Sequence, residues 1–111
     1  MNNFNGIGRL TKDVDLTYTP NGLAVAKFTL AIKRNYKNGQ GEFESDFINF
    51  VAWKGTAEAI ANYTQKGMQL GVSGRLQSRN YDDDNGKKHF VVEVVVDNVT
   101  FLEKKKQPQP Q

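Results

Sequence analysis

From Met68 to Tyr81 the chain alternates between two kinds of residue. Met68, Leu70, Val72, Gly74 and Leu76 hold the even positions, and Gln69, Gly71, Ser73, Arg75, Gln77, Arg79 and Tyr81 the odd ones. Successive side chains of an extended strand point to opposite faces, so this pattern predicts a strand with one core face and one polar, basic face ending in an aromatic ring. Phe47 to Trp53 sorts the same way, with Ile48, Phe50 and Ala52 turned inward and Phe47, Asn49, Val51 and Trp53 sharing the opposite face. Ala24, Ala26, Phe28, Leu30 and Ile32 form the inward set of a further strand reaching toward Tyr36, whose outer face carries Lys27, Thr29 and Lys33. Phe4 to Leu10 reads as a short strand in which Gly6 and Gly8 mark a bulge or a close backbone approach. A last strand, from about His89 to Leu102, contains Phe90-Val91-Val92-Glu93-Val94-Val95-Val96. Apolar residues on both faces predict burial on both sides or a subunit contact.

Turn chemistry separates these strands at Pro20-Asn21-Gly22, at Lys37-Asn38-Gly39-Gln40-Gly41 and at Asp82-Asp83-Asp84-Asn85-Gly86, where Asn-Gly is a hairpin signal. One segment has helical spacing instead. Gly55-Thr56 opens it with Thr56 as cap and Glu58 near the positive end, and Lys66-Gly67 closes it with a cation and a left-handed stop. Ala57, Ile60, Ala61 and Tyr63 give it a narrow apolar stripe that would plug one end of a sheet. The order of three strands, one helix and two strands predicts an all-β chain with one helix: the OB-fold, a five-stranded Greek-key barrel with the helix between strands 3 and 4. A single domain is expected over residues 1–103, followed by a disordered Lys/Pro/Gln tail over 104–111.

Composition narrows the function. With 111 residues, 38% hydrophobic and 24% charged, the chain can build one ordinary core. It has no cysteine, so disulfides and thiolate metal sites are excluded, and a reducing cytosol fits. No apolar run approaches the roughly 20 residues of a membrane span, and Met1-Asn2-Asn3-Phe4 lacks the regions of a secretory signal, so a cytoplasmic protein without membrane contact is expected. The net charge of +3 decides little, because Lys104, Lys105 and Lys106 lie in the tail and the rest of the chain balances 12 basic against 12 acidic residues. Position matters more than total charge. Lys27, Lys33, Arg75 and Arg79 interleave with Trp53, Phe47 and Tyr81 on the outer strand faces, which is what a surface needs to neutralise phosphates and stack unpaired bases without reading sequence. A single histidine, His89, and no carboxylate-histidine cluster leave no nucleophile or metal cage, so neither an enzyme nor a cofactor or metal is expected. The run Asp82-Asp83-Asp84 reads as a solvated loop.

The chain resembles the bacterial and phage single-stranded DNA-binding proteins. The resemblance is carried by Gly8-Arg9-Leu10-Thr11-Lys12-Asp13, Tyr18-Thr19-Pro20-Asn21-Gly22, Asp46-Phe47-Ile48-Asn49, Lys66-Gly67, Gly74-Arg75-Leu76-Gln77-Ser78-Arg79-Asn80-Tyr81 and Glu93-Val94-Val95-Val96-Asp97, in that order. It implies base stacking on Tyr36, Phe47, Trp53 and Tyr81, and phosphate contacts from Arg79 and Lys66, with Lys33 and Arg34 added from the strand face. Asn49 stands where some members have arginine, which removes one such contact. A homotetramer wrapped by DNA, acting in replication, recombination or repair in a bacterial nucleoid or an infected host, is also implied. Many cellular members end in an acidic tip that recruits replication and repair enzymes. This chain ends in Lys104-Lys105-Lys106-Gln107-Pro108-Gln109-Pro110-Gln111, which puts that recruitment in doubt and suits a phage form, a short paralogue or a truncated chain. Two other classes stay open: an RNA-binding OB-fold protein, and an oligomerisation or interaction module built on the two-sided last strand.

Overall fold

The computed structural model describes residues 1–104 and contains six strands and one helix. They are β1 (Phe4–Leu10), β2 (Asp15–Tyr18), β3 (Ala24–Lys37), β4 (Phe43–Trp53), α1 (Lys54–Tyr63), β5 (Gln69–Asp82) and β6 (Lys88–Phe101). The strands lie in the order β1-β5-β6-β4-β3-β2, and β1 also pairs with β3, which closes β1, β5, β6, β4 and β3 into a barrel. Among the described residues only β4 and β6 pair in parallel. The fold is the expected five-stranded OB barrel, with α1 between its third and fourth strands. The unforeseen strand is β2, which pairs with β3 from Asp15↔Lys27 to Tyr18↔Ala24. Its four residues are too few for an alternation to stand out.

The alternation holds in β3 and β4. Ala26, Phe28 and Leu30 face Phe50 and Ala52 inside the barrel, joined by Leu10, Leu70, Val72, Val94 and Val96. The Phe28 and Phe50 rings, opposite each other in register, stack at 5.2 Å, and Phe4 meets Phe50 edge-on at 5.4 Å. Ala57 and Ile60 of α1 are fully buried and plug the barrel. The helix boundaries differ from expectation. Trp53, not Thr56, is the N-cap and offers no side-chain bond, because the chain turns from β4 straight into α1 through Lys54 at φ 59°. At the other end Thr64 closes the helix by donating its hydroxyl to the Ile60 carbonyl at 2.6 Å. Gly67 is left-handed, with φ 88°, but it serves the entry to β5, and its N–H donates to the Leu10 carbonyl. Tyr63 is exposed, edge-on to Phe101.

In β5 the alternation is broken. Met68, Leu70 and Val72 are buried as expected, but Leu76 is half exposed. The reason is pairing: β1 accompanies β5 only as far as Phe4↔Gly74, and β4 meets β6 only at Phe50↔Val94 and Val51↔Val95. From there on β5 and β6 continue as a two-stranded arm paired to each other as far as Asp82↔Lys88. The two-sided burial foreseen for β6 is therefore confined to Val94, Val95 and Val96, whereas Phe90 and Val92 ride the arm in solvent. Among the described residues no helix is long and apolar enough to cross a membrane. The predicted tail over 104–111 lies, apart from Lys104, outside the described residues.

Gly74 sits where the register between β5 and β6 shifts, and a Cβ there would stand 2.2 Å from the Val95 carbonyl oxygen. Backbone cannot step aside as a side chain can. Gly74→Ala is expected to destabilise the barrel by about 1–3 kcal/mol, read as a lower denaturation midpoint in urea.

Candidate nucleic-acid interface

The outward residues of β3, β4, β5 and β6 form one surface. Its floor is apolar: Val25, Val51 and Val95, neighbours across three strands, bury one another outside the main core. Over this floor runs a groove of about 460 Å³ whose walls include Tyr18, Lys27, Trp53, Arg75, Gln77 and Arg79. A second hollow of about 230 Å³ adjoins it, shares Lys27, Arg79 and Glu93, and adds Lys12, Thr29 and Asn49. The alternation in β4 and β5 thus places Trp53, Asn49, Arg75 and Arg79 with Lys27 around one trough. Thr29 donates its hydroxyl to the Asn49 carbonyl oxygen at 2.8 Å, which turns the Asn49 amide into a fixed group.

Three predicted rings stand beyond the groove walls on the hairpin extensions. Phe47 is 67% exposed on the face it shares with Asn49 and Trp53, and Tyr36 is 60% exposed within the irregular stretch of β3 between Lys33 and Lys37. Lys33, paired in register with Ser45, holds its Nζ 4.4 Å from the centroid of the Phe43 ring. On the arm, Tyr81 stacks on His89 at 5.0 Å with a 16° tilt, and the Arg79 guanidinium is 5.8 Å from the Tyr81 centroid. His89 is itself held, its Nε2 lying 2.8 Å from Asp83 Oδ2. Hydrogen bonding from His89, with the Lys87 and Asn85 backbone N–H groups on Oδ1, holds the Asp83 carboxyl below the usual carboxylate range.

Three predicted phosphate contacts, Lys33, Arg34 and Lys66, line neither hollow. Arg34 lies with Asp46 and Glu44, on the even-numbered side of the sheet, and all its nitrogens are engaged: Nε and Nη2 on Asp46 and Nη1 on Glu44. Hydrogen bonding to Asp46 raises the Arg34 pKa, and the same bonds lower that of Asp46. Lys66 is exposed in the connection after α1, its backbone N–H donating to Asp13 at 2.7 Å, and it lines neither hollow.

Several residues of this surface escaped the sequence reading. Tyr18 belongs to the short β2, and Phe43 opens β4 four residues before the alternating stretch that begins at Phe47. As the lone histidine of the sequence, His89 suggests no role in metal binding or catalysis, whereas its ring backs Tyr81. The acids Glu93 and Asp97, which pair with Arg79 at 3.1 Å and Arg75 at 3.2 Å, are adjacent to them only through the β5–β6 register.

Residues 1–102 match the model of the single-strand binding protein family. The chain is 58% identical over 99 residues to single-stranded DNA-binding protein 2 of Listeria monocytogenes, covering 89% of this chain and 62% of that protein. It is 59% identical over 97 residues to the single-stranded DNA-binding protein of Bacillus cereus, covering 87% of this chain and 57% of the relative. Single-stranded DNA-binding protein 4 of Streptococcus agalactiae is 50% identical over 105 residues, covering 95% and 76%. The chain thus spans about three fifths of the length of the first two relatives.

Proposed function

The chain belongs to the single-strand binding protein family, and on that premise we propose that it binds single-stranded DNA without sequence preference and without catalysis, coating exposed strands in replication, recombination or repair. The observation that carries the reading is the trough in which Trp53 stands over an apolar floor with Lys27, Arg75 and Arg79 at its walls. Bases present a π-face whatever their identity, so rings accept them without discrimination, while the cations neutralise the backbone that runs between. Phe47, Tyr36 and Tyr81 extend this track along the hairpins, with Asn49 and Lys33 beside it. Arg34 and Lys66 are left outside the track. A homotetramer is part of the proposal. The exposed apolar residues Ile7, Leu76, Phe90 and Val92 support an assembled state, since they lie outside the groove. A cytoplasmic, nucleoid-associated location follows from the ligand.

Titration with oligo-dT tests the reading. Trp53 is the one tryptophan, so its emission should fall on binding, and affinity should fall with salt at a log-log slope of about −0.7 per phosphate neutralised. Arg79→Ala should shallow that slope, and Arg34→Ala should leave it unchanged. Binding that ignores salt, or saturation without any change in Trp53 emission, would remove the trough as the site.

A further inference from the structure

Glu93 and Asp97 bracket Val95 on β6, and acids are unexpected on a face offered to a polyanion. The two are not equivalent. Asp97 takes a terminal nitrogen of Arg75, Nη1, at 3.2 Å, whereas Glu93 takes only the inner nitrogen of Arg79, Nε, at 3.1 Å. Among the described residues Nη1 and Nη2 of Arg79 make no hydrogen bond. Arg34, with every nitrogen on a carboxylate, shows what a fully consumed guanidinium looks like in the same molecule. Glu93 is also only 9% exposed and lines the trough beside Arg79, whose side chain is 43% exposed. An arginine gripped at Nε keeps its two outer nitrogens, the pair whose geometry matches phosphate oxygens. A long side chain already ordered loses less freedom when a ligand arrives.

We infer that Glu93 is a positioning residue, which holds Arg79 by Nε so that its outer fork faces the DNA backbone. The inference rests on the single-stranded DNA reading above. The rival role for Glu93 is a competitor that merely cancels the Arg79 charge.

Comparing variants of equal charge separates the two. Glu93→Gln and Glu93→Met both remove the negative charge and keep the side-chain length, but only glutamine retains an oxygen that can accept from Nε. The oligo-dT affinity of each is measured in the full chain, alone and combined with Arg79→Ala, after melting curves establish that each variant is folded. Positioning predicts that Glu93→Met binds about fivefold weaker than Glu93→Gln, and that this difference vanishes when Arg79 is absent. An NMR signal from the Arg79 Nε–H should be protected from exchange in the wild type and in Glu93→Gln and unprotected in Glu93→Met. That measurement needs no DNA and, repeated with Glu93→Leu, decides the case if the methionine variant melts early. Equal binding by the glutamine and methionine variants, or a difference that persists without Arg79, would overturn the inference. Failure of the folded wild type to bind oligo-dT would instead overturn the functional reading, and this one with it.

Discussion

Phe47→Ala and Trp53→Ala are each expected to weaken single-stranded DNA binding by about 1–3 kcal/mol, roughly five- to 150-fold, with little dependence on base. That range is the one seen for alanine substitution at stacking platforms of this kind, proteins of this family among them. The two rings are exposed by 67% and 42% and lie on one face of β4, so the melting transition should barely move. Isothermal titration and thermal denaturation of the same samples provide the check. A variant that melts much earlier than the wild type would show its ring to be structural and the loss of binding indirect.

Phe50→Ala should behave in the opposite sense. The ring lies between Phe47 and Trp53 in sequence, points into the barrel, is 1% exposed, and touches both Phe28 and Phe4. Removing it loses buried surface and leaves a cavity that the rigid barrel cannot close, a cost of about 3–5 kcal/mol. For a domain stabilised by roughly 5–15 kcal/mol this is a large share of the total. Chemical denaturation should report the full loss, while the fraction that remains folded should bind oligo-dT with near wild-type affinity. A stability change under about 1 kcal/mol would mean that the barrel interior repacks around the gap.

What made the fold legible is that β3, β4 and the first half of β5 carry a clean period of two, while one segment has helical spacing instead. Parity alone separated Phe50 from Trp53, and Leu30 from Lys27, and it set the trough residues of β4 and β5 on one face. Three features escaped because they depend on partners rather than on period. Leu76, Val92 and Phe90 keep the apolar parity of a core but lie where β1 and β4 no longer flank the pair, so nothing covers them. Arg34 has the composition of a phosphate contact, yet Asp46 and Glu44 are brought beside it by the β3–β4 register and take its charge. Glu93 lies next to Arg79 across 14 residues of chain. The helix starts ahead of its apparent cap for a local reason: Thr56 has the chemistry of a cap, but Lys54 turns the chain two residues earlier by a left-handed step that few sequence signals announce.

The two-faced strand β4 also limits how this gene can change length. Inserting or deleting one codon between those for Phe50 and Val51 would move every later side chain to the other face, sending Trp53 toward the barrel interior and Ala52 into the trough. A single slip would therefore damage stability and ligand binding together. Codons could be gained or lost singly at the Asn38 to Gly41 turn, where Gly39 and Gly41 have open space around them and no strand parity is at stake. Length variation among descendants of this sequence should accordingly collect at that hairpin tip and spare the seven codons from Phe47 to Trp53.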